Sequence, residues 1–77
     1  MQTISYPVLI DGNDEDGFTV TVRDIPELIT QADSIYECMD MIQDAFNTVR
    51  EIYIETNREF SSPSEPRSNE IVVEFVL

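Results

Sequence analysis

From residue 4 to residue 10 apolar and polar side chains alternate. Ile4, Tyr6, Val8 and Ile10 fall on one side, a period of two that predicts a strand with one buried face. Pro7 interrupts this run without a backbone N–H, so its side of the strand is either unpaired locally or lies at an edge. Residues 11–17, Asp-Gly-Asn-Asp-Glu-Asp-Gly, have the composition of a chain reversal. Alternation resumes over residues 18–23, with Phe18, Val20 and Val22 on one face and Thr19, Thr21 and Arg23 on the other. The two runs are predicted to pair as a hairpin with a longish loop.

Residues 24–27, Asp-Ile-Pro-Glu, are a second break, and Leu28, Ile29 and Thr30 leave room for only a short third strand. The period then changes. Ser34 is an N-cap candidate with Glu37 three residues on, the capping-box spacing. A helix is predicted from about residue 35 to about residue 57, its apolar stripe being Ile35, Cys38, Ile42, Ala45, Phe46, Val49, Ile52 and Tyr53. Cys38 lies on that stripe and reads as a buried, inert thiol. Residues 60–69, with Pro63, Pro66 and four serines, read as a mobile polar loop. Residues 70–77 read as a strand that is apolar on both sides apart from Glu74, which wants cover on both faces or a partner chain.

The order is therefore β-β-β-α-β. It predicts an α+β domain with a small, mostly antiparallel sheet and one long helix on one face, the helix feeding a C-terminal strand through a right-handed crossover. Nothing is left to cover the other face, where Leu9, Val72 and Val76 are expected to form an apolar patch.

A chain of 77 residues is one small domain with a thin core. Its single cysteine excludes an internal disulfide, and without histidine a structural zinc site is implausible. Oligomerisation or a bound partner is the remaining source of stability. Sixteen acidic residues against four arginines give a net charge of −12. No basic patch can be assembled, so direct nucleic-acid binding is not expected. The same charge suits capture of a basic protein, and fits a simply solvated surface equally well. No membrane span or signal peptide is read, and a free thiol fits the cytoplasm.

Histidine-based catalysis is excluded, as are Ser-His-Asp and Cys-His arrangements. A carboxylate metal site would need acids such as Asp11, Asp40 and Asp44 together, and nothing in their spacing brings them there. In an EF-hand alignment of the 12–17 loop, Gly12 and Arg23 occupy the two positions that require acids, so a turn is the better reading. No enzyme activity, metal or cofactor is expected. Tyr36 lies off the helix stripe and reads as exposed; an interface anchor is a reasonable role for it, with ordinary surface packing the stronger reading.

Residues 24–34, Asp-Ile-Pro-Glu-Leu-Ile-Thr-Gln-Ala-Asp-Ser, followed by the amphipathic helix, resemble the signature of the HicB family of antitoxins. The usual pattern there is Asp-Leu-Pro-Gly-Cys-x-Thr-Gln-Gly-Asp-Thr. The opening Tyr6-Pro7-Val8, the acidic hairpin and the Pro-Ser loop are similar as well. Glu27 and Leu28 replace the common Gly-Cys pair, and Ala32 replaces a frequent glycine. Many HicB proteins continue into a helix-turn-helix or ribbon-helix-helix domain. Residues 1–77 read as a single antitoxin domain with no C-terminal DNA-binding domain, so DNA binding is not carried over.

The resemblance implies a partial RNase H-like fold and a HicA-like partner, a small basic ribonuclease that cleaves mRNA and whose active site the antitoxin would cover. Contacts are expected from the hairpin loop (Asp14, Glu15, Asp16) and from residues 24–33, with Asp24, Glu27, Gln31 and Asp33 as the candidates. Self-association into a dimer or larger assembly is expected through the last strand or the open sheet face. Two other functions fit an acidic β-rich domain, a nucleic-acid mimic and a plain oligomerisation domain. A mimic needs carboxylates in phosphate-like rows. Here the acids outside the hairpin loop appear scattered over helix and loops, which favours the antitoxin.

Overall fold

The computed structural model describes residues 2–77. Its elements follow the predicted order: β1 (Thr3–Asn13), β2 (Gly17–Thr21), β3 (Ile29–Ala32), α1 (Ile35–Glu55) and β4 (Ile71–Val76). The strands lie in the order β3-β2-β1-β4, and every neighbouring pair is antiparallel. β3 and β4 consequently run in opposite directions. The handedness rule for parallel crossovers therefore has no purchase on the connection through α1, contrary to expectation.

β1 works as two halves. Residues 3–8 pair with β4, and residues 9–13 pair with β2. Pro7 sits opposite Val72, in a strand that is central rather than at an edge. Val76 turns its backbone N–H and C=O away from β1, toward Gln43. By alternation Val72 does the same, so Val72 and Pro7 form a pair without mutual hydrogen bonds. The N–H that Pro7 lacks would point toward β2, where the ladder begins only at Leu9↔Thr21.

The hairpin is longer than its sequence indicates because β1 continues through Asp11-Gly12-Asn13, leaving a turn of three residues. Asn13 organises it. Its Oδ1 accepts from the backbone N–H groups of Glu15 and Asp16, and its Nδ2 donates to Asp16. Gly12 holds φ at +136°, and a Cβ there would lie 2.1 Å from the Gly17 carbonyl oxygen.

Tyr6, Val8, Val20, Ile42, Phe46 and Phe75 are fully or almost fully buried between the sheet and α1. Val22, Ile25 and Leu28 join them from the β2–β3 connection, which two backbone hydrogen bonds, Ile25 N–H to Val22 and Leu28 N–H to Ile25, fold inward. The helix buries Cys38, Ile42, Phe46, Val49 and Tyr53. Ile35 and Ile52, expected on the same stripe, remain 46% and 42% exposed. Ile35 belongs to the first turn, and Ile52 lies on the border of a stripe that covers a narrow sheet.

Both helix ends are specified locally. Ser34 Oγ accepts from the N–H of Glu37, while the Glu37 carboxylate reaches back to the N–H of Asp33. At the other end Asn57 adopts φ +55°, the Arg58 N–H bonds the Tyr53 carbonyl and the Asn57 N–H bonds the Ile54 carbonyl. This Schellman arrangement stops the helix at Glu55, two residues before the predicted end.

Residues 60–69 were expected to be mobile, yet they are tied down. Tyr6 donates to the Ser61 carbonyl, Ser61 donates to the Asp24 carbonyl, and the Asp24 carboxylate accepts from both the N–H and hydroxyl of Ser64. Arg23 reaches the Glu65 carbonyl.

β4 forms one edge of the sheet, with Val72 58% exposed and Ile71 and Val76 also exposed. Leu9 is half-buried, so the expected outer-face patch consists of Val72 and Val76, with Ile29 exposed on β3. At Val76 the edge is closed from within the chain. The Gln43 side-chain amide accepts from the Val76 N–H and donates to its carbonyl, as a neighbouring strand would, both at 3.1 Å.

Replacing Gly12 by alanine should destabilise the domain by roughly 2 kcal/mol or more, through a strained φ and a backbone clash. Urea melts of the two proteins check this, and a change below half that size would show that the hairpin relaxes freely.

Candidate partner-binding site

The candidate residues separate into two groups. Asp14, Glu15 and Asp16 form the exposed hairpin tip. Phe18↔Ala32 and Thr19↔Gln31 pairing brings the start of β2 beside the end of β3. Asp16, Gln31 and Asp33 therefore line one shallow cleft of about 110 Å³, together with Gly17 and Thr19. Asp33 is joined to the helix through its N–H bond to Glu37. No ion pair joins any of these acids to an arginine among the described residues. The hairpin end thus carries uncompensated negative charge.

Asp24 and Glu27 lie elsewhere, and their carboxylates are engaged by other groups of the chain. Asp24 holds Ser64. Glu27 accepts from the Tyr53 hydroxyl at 2.8 Å and from Arg58 at 2.6 Å, while the Arg58 guanidinium lies 4.1 Å from the Tyr53 ring centre. The Tyr53 and Arg58 hydrogen bonds hold the Glu27 carboxyl below its ordinary range. Burial, followed by the bond to Glu27, raises the Tyr53 hydroxyl.

A second pair is formed by Arg23 and Glu70, with two hydrogen bonds at 2.8 and 2.9 Å. Arg23 follows β2 and Glu70 precedes β4, so this pair links segments on opposite sides of β1. Arg23 and the Arg67 N–H lower the Glu70 carboxyl. Sequence reasoning missed both pairs, since their partners are 47 and 31 residues apart.

The acids of α1 are ordered rather than scattered, which corrects the sequence reading. Glu37, Asp40, Asp44, Glu51 and Glu55 are all exposed. With 3.6 residues per turn they fall within about 60° of the helix circumference. Asp11 is on the outer sheet face, so the sheet separates it from Asp40 and Asp44. Among the described residues no three acids or thiols are grouped to hold a metal ion, and no helix is long and apolar enough to cross a membrane. Cys38 is fully buried, and burial raises its thiol.

Comparison with known proteins decides the family. A family model described as HicB_like antitoxin of bacterial toxin-antitoxin system matches residues 5–77. The chain belongs to the HicB-like antitoxin family. It is 35% identical to antitoxin HicB of Escherichia coli K12 over 72 residues, covering 94% of this chain and 52% of that protein. With antitoxin HicB 2 of Photorhabdus laumondii identity is 40% over 63 residues, covering 82% and 45%. The chain thus spans about half the length of these relatives. The crystal structure of the N-terminal domain of Burkholderia pseudomallei antitoxin HicB superposes with a TM-score of 0.71 at 19% identity, covering 96% of this chain and 98% of that one. That likeness shows the shared fold. The crystal structure of the Burkholderia pseudomallei antitoxin HicB superposes with the same TM-score at 18% identity, covering 96% of this chain and 63% of that one.

The Glu27 and Glu70 contacts make stability depend on pH in a fixed direction. A carboxyl lowered by folding stabilises above its unfolded value, near 4.3, and this contribution is lost as pH falls through the folded value. In urea melts the deficit of Glu70→Gln relative to wild type should hold steady from neutral pH to about 5 and shrink below about 4. A deficit that grows on acidification would contradict the assignment.

Proposed function

We propose that this chain is the antitoxin domain of a toxin-antitoxin pair and that it neutralises a HicA-like, mRNA-cleaving toxin in the cytoplasm by masking the toxin's RNA-gripping surface. Membership of the HicB-like family supports the antitoxin role. The observation that carries the masking mechanism is the uncompensated charge at the hairpin end, where Asp14, Glu15, Asp16 and Asp33 are exposed beside Gln31. A protein surface that binds RNA phosphates is cationic and would meet these carboxylates in their place. Asp24 and Glu27, the other candidate contacts, also hold residues 24–33 in shape. In this reading the β-β-β-α-β unit is a partial RNase H-like fold that serves binding rather than catalysis.

Self-association is the second part of the proposal. The backbone groups of Val72 and Glu74 point outward from the β4 edge, and Val72 and Ile29 are exposed on the outer sheet face. With a charge of −12 per chain, association should strengthen as salt screens the repulsion, which sedimentation in low and high salt will read.

Co-expression with the small basic protein encoded next to it, followed by size-exclusion chromatography and an RNA-cleavage assay, tests the main reading. The expected result is co-elution with cleavage suppressed. Separate elution with cleavage unchanged would overturn it and leave a nucleic-acid mimic with another target as the better account.

A further inference from the structure

α1 leaves much apolar surface uncovered. Tyr36 is 88% exposed, and Met39, one turn on, is exposed beside it. Gln43 continues the same side of the helix and binds Val76, so Tyr36, Met39, Gln43, Val76 and Leu77 form one continuous surface. The surface leads into a groove of about 500 Å³ between α1 and the end of β4, lined by Gln43, Asn47, Arg50, Glu51, Val76 and Leu77. An exposed tyrosine and methionine beside a groove have the character of an interface anchor.

Charge selects the occupant. The solvent ridge of α1 borders this surface with Glu37, Asp40, Asp44, Glu51 and Glu55, none of them in an ion pair among the described residues. The arrangement works against the helix itself. Asp40 and Asp44 repel at i, i+4, as do Glu51 and Glu55, and the last turn holds no basic residue to meet the negative end of the helix dipole. A second copy of the chain would bring the same ridge and a further −12 charges. A protein presenting arginines and lysines would relieve the repulsion.

We propose that the exposed face of α1 formed by Tyr36, Met39 and the adjoining groove at Val76 is a docking surface for a cationic protein, with the carboxylate ridge of the helix lying against that partner's basic residues. The inference rests on the antitoxin reading and names the surface through which the toxin is held. It adds α1 to the hairpin end, with which it is continuous through the Asp33–Glu37 hydrogen bond.

The test compares two variants of the chain for binding to the small basic protein encoded next to it. One is Tyr36→Ala with Asp40→Lys; the other replaces Asp14, Glu15 and Asp16 by alanine. All these side chains are exposed, so both variants should fold, which melting curves will check. Calorimetry should show binding weakened about 100-fold or more in the helix variant. Restoring Tyr36 alone should recover part of the loss, and restoring Asp40 the remainder. A helix variant that binds like wild type while the hairpin variant does not would overturn the docking surface and leave the antitoxin reading standing. If the wild-type chain itself fails to bind, the antitoxin reading falls first and the docking surface falls with it.

Discussion

A chain of five aromatic rings holds this domain together. Tyr6 on β1 lies 6.4 Å from Phe75 on β4, Phe75 stacks on Phe46 of α1 at 4.7 Å, Phe46 on Phe60 at 5.1 Å, and Phe60 on Tyr53 at 4.7 Å. Arg58 closes the far end over the Tyr53 ring. With no disulfide and a thin core, a domain this small depends on such large side chains for its apolar burial. The ladder joins central strand, edge strand, helix and the long connection, so these elements are fixed relative to one another. The polar ends of the tyrosines extend the same unit: Tyr6 anchors Ser61 and Tyr53 anchors Glu27.

Much of this was legible in the sequence. Alternation of Ile4, Tyr6, Val8 and Ile10 and the capping signal at Ser34 and Glu37 are local, and local patterns locate elements well. What failed was non-local. Phe60 reads as the start of a polar loop, yet it stacks between Phe46 and Tyr53; no periodicity announces a single aromatic residue reaching back to a helix. Residues 60–69 look mobile by composition and are held by Asp24, whose carboxylate was a candidate for partner contact. Asp24 and Glu27 show that a motif's acids can also have a structural task that the sequence hides, because their partners are some 26 to 40 residues away. The hairpin candidates needed no distant partner, and the fold leaves them exposed. The ordering of the helix acids follows from the 3.6-residue period alone, although along the linear sequence they look scattered between the apolar positions.

The chain also departs from the usual family pattern in an informative way. Glu27 stands where glycine is common, and the structure supplies it with Tyr53 and Arg58. The substitution brings its own electrostatic partner, so the loop gains an anchor in place of flexibility. The four arginines are correspondingly scarce and unevenly used. Arg23 and Arg58 are committed to ion pairs with Glu70 and Glu27, which leaves little positive charge to offset the acids on α1 and the hairpin.

The amide of Gln43 closes the last rung of β4 with the hydrogen-bonding pattern of a peptide group. At Val76 the sheet edge therefore offers no open backbone, and the stretch of β4 that another strand could pair with is reduced to Val72 and Glu74. An open sheet edge is a template for fibrous stacking. One side chain, borrowed from the helix, shortens the template that such stacking would need.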